Sequence, residues 1–264
     1  MKIGKVEQYL LDTIEKEGCA LSIVIDPVDY PSPEVAIKKA IQACEGGADI
    51  LAIGGSVGVQ GELLDMVAKE IKKDISVPVI LFPGNIGTIT KHADAMYFLT
   101  LMNSRNPYWL GQAQMLGAPL IKQFNIEAIP TAYLVVEPGG TVGWVGDARL
   151  LPRNNPKLTA GLAYTGELSG AHMVFTDAGS SSSLGPIPVE TVRAVKKYIT
   201  VPYMVAGGIR TVDEATNIIK AGADMIQVGN IVERSDNVKE DVSKMLKTMR
   251  AVSYTHLTLP TKRI

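Results

Sequence analysis

One stretch constrains this chain more than any other. Residues 201–206 form a short apolar run that stops in Gly207-Gly208, and residues 223–228 form a second that stops in Gly229-Asn230. Between them, residues 211–223 read as a helix. Apolar positions recur every three to four residues, Asp213 and Glu214 fall in the first turn, and Gly222 ends it. The order is strand, glycine turn, helix, strand, glycine turn. Backbone without Cβ can approach a phosphate closely, and amides at a helix start point at an anion. Tight turns between strands and helices would use the same glycines, so a single Gly-Gly would say little. Two such turns, each at the C-terminal end of a strand, favour a phosphate site.

The same alternation runs through the chain. Strands are expected at residues 20–26, 49–53, 77–85 with its turn, 94–101, 129–140 with its turn, and 172–177, followed by the two runs above. Helices are expected at 3–17, 33–45, 61–73, 108–124, 157–169, 189–198 and 237–250. Too few residues separate strands 3 and 4 for a full helix, so the third helix is short or absent. Residues 141–156, rich in Gly, Pro and Asn, read as a loop. Apolar strands alternating with helices eight times over describe an α/β protein, a parallel sheet closed into a (β/α)8 TIM barrel. The two glycine turns then follow strands 7 and 8, where such barrels commonly bind phosphate.

The chain of 264 residues, 46% of them hydrophobic, suits one barrel domain over residues 1–251. No domain break, low-complexity linker or clear sequence repeat stands out. Residues 252–264 break the helical pattern and resemble translated adapter or vector sequence, so they are set aside. A net charge of −1 gives no electrostatic footprint for nucleic acid. No apolar run approaches the roughly 18 residues that would span a membrane. Residues 1–8 carry no signal-peptide core, so a cytoplasmic protein is expected. Cys19 and Cys44 read as small core residues.

In a barrel of this kind, functional groups collect where strands end. Asp26 ends strand 1, Ser56 ends strand 2, Asn85 ends strand 3, and Asp177 ends strand 6. A carboxylate and a hydroxyl at adjacent strand ends offer hard oxygen ligands to Mg²⁺, with substrate phosphate and water completing the shell. Asp26 also suits a cap before Pro27. The serines from Ser180 onward suit either a solvated turn or extra donors around the phosphate. Arg210 suits a phosphate contact or a surface ion pair. Tyr108 and Trp109 suit a groove wall or a subunit contact. His92 and His172 lie away from the mouth and read as structural.

The motifs resemble those of the geranylgeranylglyceryl phosphate synthase family, group II, which includes the heptaprenylglyceryl phosphate synthases. The resemblance covers residues 3–250. It rests on Asp26-Pro27, Gly54-Gly55-Ser56, the Phe-Pro-Gly-Asn turn at 82–85, the Asn-Ser-Arg-Asn-Pro-Tyr-Trp loop at 103–109, Gly207-Gly208 and Gly229-Asn230. It implies an enzyme, a prenyltransferase that joins sn-glycerol 1-phosphate to a prenyl diphosphate. Mg²⁺ would be held by Asp26 and Ser56, both Asp26 and Asp177 acting in catalysis. Phe175, Thr176, Asp177, Ala178, Gly179, Ser180, Ser181, Gly207, Gly208, Gly229 and Asn230 would line the glycerol phosphate site. It further implies a homo-oligomer and a transient membrane encounter. The chain departs from the family where Tyr-Leu-Glu is expected after strand 6. Here Phe175 lacks the hydroxyl and Asp177 is one methylene shorter. A different phosphate-binding barrel enzyme, or a non-catalytic glycerol phosphate binder, is the alternative reading.

Overall fold

The computed structural model describes residues 2–55, 57–180 and 182–257. Among them, eight parallel strands close in sequence order into a barrel. The strands are β1 (Ala20–Ile25), β2 (Ile50–Gly54), β3 (Val79–Phe82), β4 (Ala95–Leu101), β5 (Glu127–Val135), β6 (Met173–Asp177), β7 (Tyr203–Ala206) and β8 (Met225–Val228). Around them lie α1 (Lys5–Glu17), α2 (Pro33–Glu45), α3 (Gly61–Asp74), α4 (Gln112–Phe124), α5 (Gly140–Val145), α6 (Pro156–Leu168), α7 (Val189–Tyr198), α8 (Val212–Lys220), α9 (Asn230–Arg234) and α10 (Val238–Leu257). No helix separates β3 from β4, as the short connection required.

Alternation along each strand sorts the core into two layers. Ala52, Ile80, Tyr97, Ile129, Phe175, Met204 and Met225 fill the interior. Leu51, Ile53, Leu81, Val174, Val205 and Ile226 face the helices. Helix α1 crosses the N-terminal end and inserts Val6 and Leu10 into the interior layer, closing that end. The Glu127 carboxylate accepts from the first amides of α1, Val6 N at 2.8 Å and Glu7 N at 2.7 Å.

The structure corrects three expectations. Residues 141–145, expected as loop, belong to α5. The helical pattern does not break at 252. Helix α10 runs to Leu257, and Ser253 Oγ donates to Gly18 O at 2.6 Å. Residues 258–264 lie outside the described residues. A repeat is also present, although too short to stand out in sequence. Ala48-Asp49, Ala93-Asp94, Ala171-His172 and Ala223-Asp224 precede the even-numbered strands. Asp49 accepts from Leu21 N at 2.9 Å and from Arg250 at 2.7 Å. Asp94 accepts from Val79 N at 2.8 Å and from Lys72 at 2.6 Å. Asp224 accepts from Tyr203 N at 2.8 Å and from Lys196 at 2.5 Å. Each aspartate thus satisfies an amide of the preceding strand and pairs with a basic side chain. His172 departs from the rule and meets Glu7 of α1, Nδ1 to Oε1 at 2.8 Å.

Candidate active site

The C-terminal ends of the strands surround an open cleft of about 900 Å³, including its solvent-filled mouth. Asp26, Asp29, Gly55, Tyr133, Asp177, Ser180, Gly207, Gly208, Gly229, Asn230 and Glu233 line it. Four of these are carboxylates, and none of the lining residues is Lys or Arg. A cleft of this charge can hold phosphate only through backbone amides, a bound cation, or positive charge placed behind its wall.

Asp26 stands at the end of β1. Its Oδ1 accepts one long bond from Val28 N, 3.3 Å, as the cap of a short 3₁₀ turn. The capping and cleft-lining roles therefore coexist. Burial, reinforced by Asp29 and then Glu233, pushes Asp26 up to about 7. Gly55 makes room for it: a Cβ there would lie 2.1 Å from Asp26 Oδ2. The residue after β2 thus lies against the carboxylate. The other expected Mg²⁺ ligand, Ser56, lies outside the described residues. Among the described residues, no group of three or more His, Cys, Asp or Glu side chains is arranged to hold a metal ion. A half-buried carboxylate without a basic partner among the described residues still fits a Mg²⁺ that takes most of its shell from phosphate and water.

Asp177, 6% exposed, ends β6. Its Oδ2 accepts from Tyr133 Oη at 2.7 Å and its Oδ1 from Gly179 N at 2.6 Å. Burial raises its pKa despite these donors, and raises that of Tyr133 well above the usual phenol value. Tyr133 belongs to none of the motifs read from the sequence, and only the fold brings its hydroxyl to this carboxylate. The register pairs it with Phe175 on the next strand, one step below Asp177.

The remaining expected contacts divide. Gly207 and Gly208 adopt φ of +81° and +73°. A Cβ at Gly207 would lie 2.6 Å from Asp177 Oδ1, and one at Gly208 would lie 2.5 Å from Gly185 O. These glycines therefore serve the packing of the neighbouring loop as well as an open turn. Ser180, Gly229 and Asn230 face the cleft. Thr176 does not. Its hydroxyl meets Tyr203 Oη at 2.9 Å in the outer layer, because strand alternation turns it away from Asp177. Phe175 is wholly buried and stacked on Phe82 at 5.2 Å, so it packs beneath the site and does not line it. Ala178 is likewise buried. The Gly179 amide is already committed to Asp177. Ser181 lies outside the described residues.

The start of α8 is not open to an anion either. Its capping box is closed by Thr211 and Glu214, and Glu214 also accepts from Arg210 N at 2.7 Å. Arg210 donates from its guanidinium to Ser182 O at 2.6 Å and ties one loop to the next.

A second, apolar groove of about 750 Å³ opens where the helix after β3 is missing. Ile86, Ile89, Met96, Phe98, Trp109, Gly117 and Ile121 line it. It shares Pro83, Gly84, Leu99, Tyr133 and Val142 with the polar cleft, so the two are continuous. Trp109 is therefore a groove wall. The Asn103–Trp109 loop holds it in place: Asn103 bonds Val135 through both N–H and C=O, and Ser104 donates to Gly146 O at 2.6 Å.

Comparison with known proteins agrees with this architecture. A family model described as the PcrB family matches residues 14–252. The chain belongs to the PcrB family. It is 48% identical over 250 residues to the geranylgeranylglyceryl phosphate synthase of Pyrococcus horikoshii, covering 95% of this chain and 97% of that protein. It is 47% identical over 253 residues to that of Pyrococcus furiosus, covering 96% and 100%. The crystal structure of (S)-3-O-geranylgeranylglyceryl phosphate synthase from Thermoplasma acidophilum, in complex with sn-glycerol-1-phosphate, superposes with a TM-score of 0.88 at 35% identity, covering 95% of this chain and 100% of that one. Family membership makes the chain an enzyme, a prenyltransferase of the geranylgeranylglyceryl phosphate synthase kind. No described helix is long and apolar enough to cross a membrane.

Proposed function

We propose that this family member transfers a prenyl group, geranylgeranyl in the first instance, from its diphosphate to sn-glycerol 1-phosphate. The products are a prenylglyceryl phosphate and diphosphate, and the step forms the first ether bond of archaeal-type lipids. One observation carries the reading. A polar cleft with glycine turns and an apolar groove share a wall at Tyr133 and Leu99. Two substrates, one a phosphorylated polyol and one an amphiphile with a long hydrocarbon, would meet there.

In the reaction, the terminal hydroxyl oxygen of glycerol phosphate bonds to the allylic carbon. The C–O bond to diphosphate breaks and its electron pair leaves with the diphosphate. The hydroxyl proton passes to Asp177, whose burial makes it a stronger base than an exposed aspartate. Tyr133 and Gly179 hold that carboxylate from two sides while leaving it lone pairs to spare. Tyr133 thus supplies a hydroxyl to a site where Phe175 has none. Asp26, with Ser56, would hold Mg²⁺, which when bound neutralises the leaving diphosphate. The turns at Gly207-Gly208 and Gly229-Asn230 would take the glycerol phosphate. Much of the rate comes from holding the two reactants in line. The homo-oligomer and brief membrane contact belong to the same proposal. A lipid product needs a route to a bilayer, and Leu110, Met115 and Leu116 stand exposed beside the groove.

The test is transfer of radiolabelled sn-glycerol 1-phosphate into a lipid-soluble product, with Mg²⁺ and prenyl diphosphates from C15 to C35. Label with one preferred donor, lost in Asp26→Ala, is expected. Tight glycerol phosphate binding with no label from any donor would sink the reading in favour of a non-catalytic binder.

A further inference from the structure

The cleft is acidic, yet it must accept phosphate. Behind its wall, beside the segment after β8, sits a half-buried ammonium that the motifs did not single out. Lys39 of α2 is half-buried, and its Nζ donates to Val232 O at 3.0 Å, Glu233 O at 2.6 Å and Ser235 O at 3.0 Å. An ammonium has three protons, so these three carbonyls saturate it. All three lie on the segment formed by α9 and the residue after it, which starts at the Gly229-Asn230 turn. The same segment carries Glu233, whose carboxylate accepts from Asn230 Nδ2 at 3.0 Å and faces the cleft. Burial and Asp29 raise the pKa of Glu233, and Lys39 is among the charges that oppose this.

We infer that Lys39 is a positioning residue for glycerol phosphate binding: by clamping the carbonyl end of α9 with three charge-assisted hydrogen bonds it fixes the Gly229-Asn230 turn. The inference rests on the proposed role of that turn. A turn whose amides must converge on one phosphate oxygen loses affinity when its far end is released. Lys39 touches neither cleft, so it acts only through this segment.

The test compares Lys39→Met, which keeps the stem and removes the charge, with Lys39→Arg, which restores it. Steady-state kinetics would be run on the full chain with Mg²⁺ and the preferred prenyl diphosphate. Lys39→Met is expected to raise KM for sn-glycerol 1-phosphate about tenfold, while kcat and KM for the prenyl donor stay within twofold. Lys39→Arg is expected to recover most of the loss. An unchanged KM in folded Lys39→Met overturns the inference, as does an equal loss with both substrates. Should Lys39→Met not fold, Lys39→Gln, which keeps donors without charge, answers the same question. If the unaltered chain transfers no label, the dissociation constant for sn-glycerol 1-phosphate from titration calorimetry replaces KM. Silence in the first assay then counts against the transferase, and the ratio of dissociation constants alone decides on Lys39.

Discussion

The two ends of the barrel handle charge in opposite ways. At the N-terminal end every aspartate of the strand-leading repeat has an amide and a basic partner: Asp49 with Arg250, Asp94 with Lys72, and Asp224 with Lys196. At the C-terminal end Asp26 has one long bond and two acidic neighbours, and burial leaves it near 7. The first arrangement is what a fold does to keep a charge. The second leaves a carboxylate without a basic partner among the described residues, as the proposed cation role requires. Paired carboxylates gather at one end and the proposed chemistry lies at the other, within strands only four to nine residues long.

The sharpest way to break that contrast is Asp26→Asn. It is expected to cost about three orders of magnitude in kcat/KM, a loss of about 4 kcal/mol in transition-state binding. The same change removes a poorly solvated charge, so the unfolding temperature should rise by about 2 °C. A fall in both would show that Asp26 belongs with the structural carboxylates. Asp224→Ala tests the opposite end. It strands the Lys196 ammonium and the Tyr203 amide, and about 2 kcal/mol of stability should go, read as a lower urea midpoint. Steady-state constants at 25 °C should hold within twofold.

Two smaller effects sharpen the picture at the mouth. Tyr133→Phe keeps the ring packing on Phe175 and removes the bond to Asp177, so kcat should fall about tenfold and the unfolding temperature by a few degrees. An undiminished kcat would mean that Gly179 alone orients Asp177. Gly117 lines the apolar groove, and a Cβ there would meet Ile89 Cδ1 at 3.2 Å. Gly117→Leu should therefore shift product length toward shorter donors by several-fold in a competition between C15 and C20 diphosphates. An unshifted ratio would place the end of the hydrocarbon elsewhere.

Much of this was legible in the chain itself. Short apolar runs ending in Gly or Asp locate the strands and the mouth, because strand alternation and glycine turns are local rules. Helices α2 and α7 fall within the ends read from Pro33 and Tyr198. The errors are also physical. Thr176 reads with its neighbours as one contiguous binding stretch, although alternation alone sends it outward from Asp177. The short α5 carries Gly140 and Gly143, which look like loop, and Leu150 packs close to where a Cβ at Gly143 would sit. The Ala-Asp repeat is faint in the sequence because two residues every forty or more make no visible period. Its meaning lies in partners such as Lys72 and Arg250 that are distant in sequence. Tyr133 likewise needed the β5–β6 register before its hydroxyl could be placed on Asp177.

The missing helix after β3 has a consequence for the protein's own folding energetics. Elsewhere around the sheet a helix shields the outer face, but beside β4 that cover is interrupted and Met96 and Phe98 face a groove. A bound hydrocarbon would complete the hydrophobic layer there, standing in for a piece of polypeptide. The free enzyme is then the unfinished form of the fold. Amide hydrogens of Ala95–Leu101 should exchange faster in it than those of β1 or β7, and an unreactive long-chain alkyl diphosphate should slow them selectively.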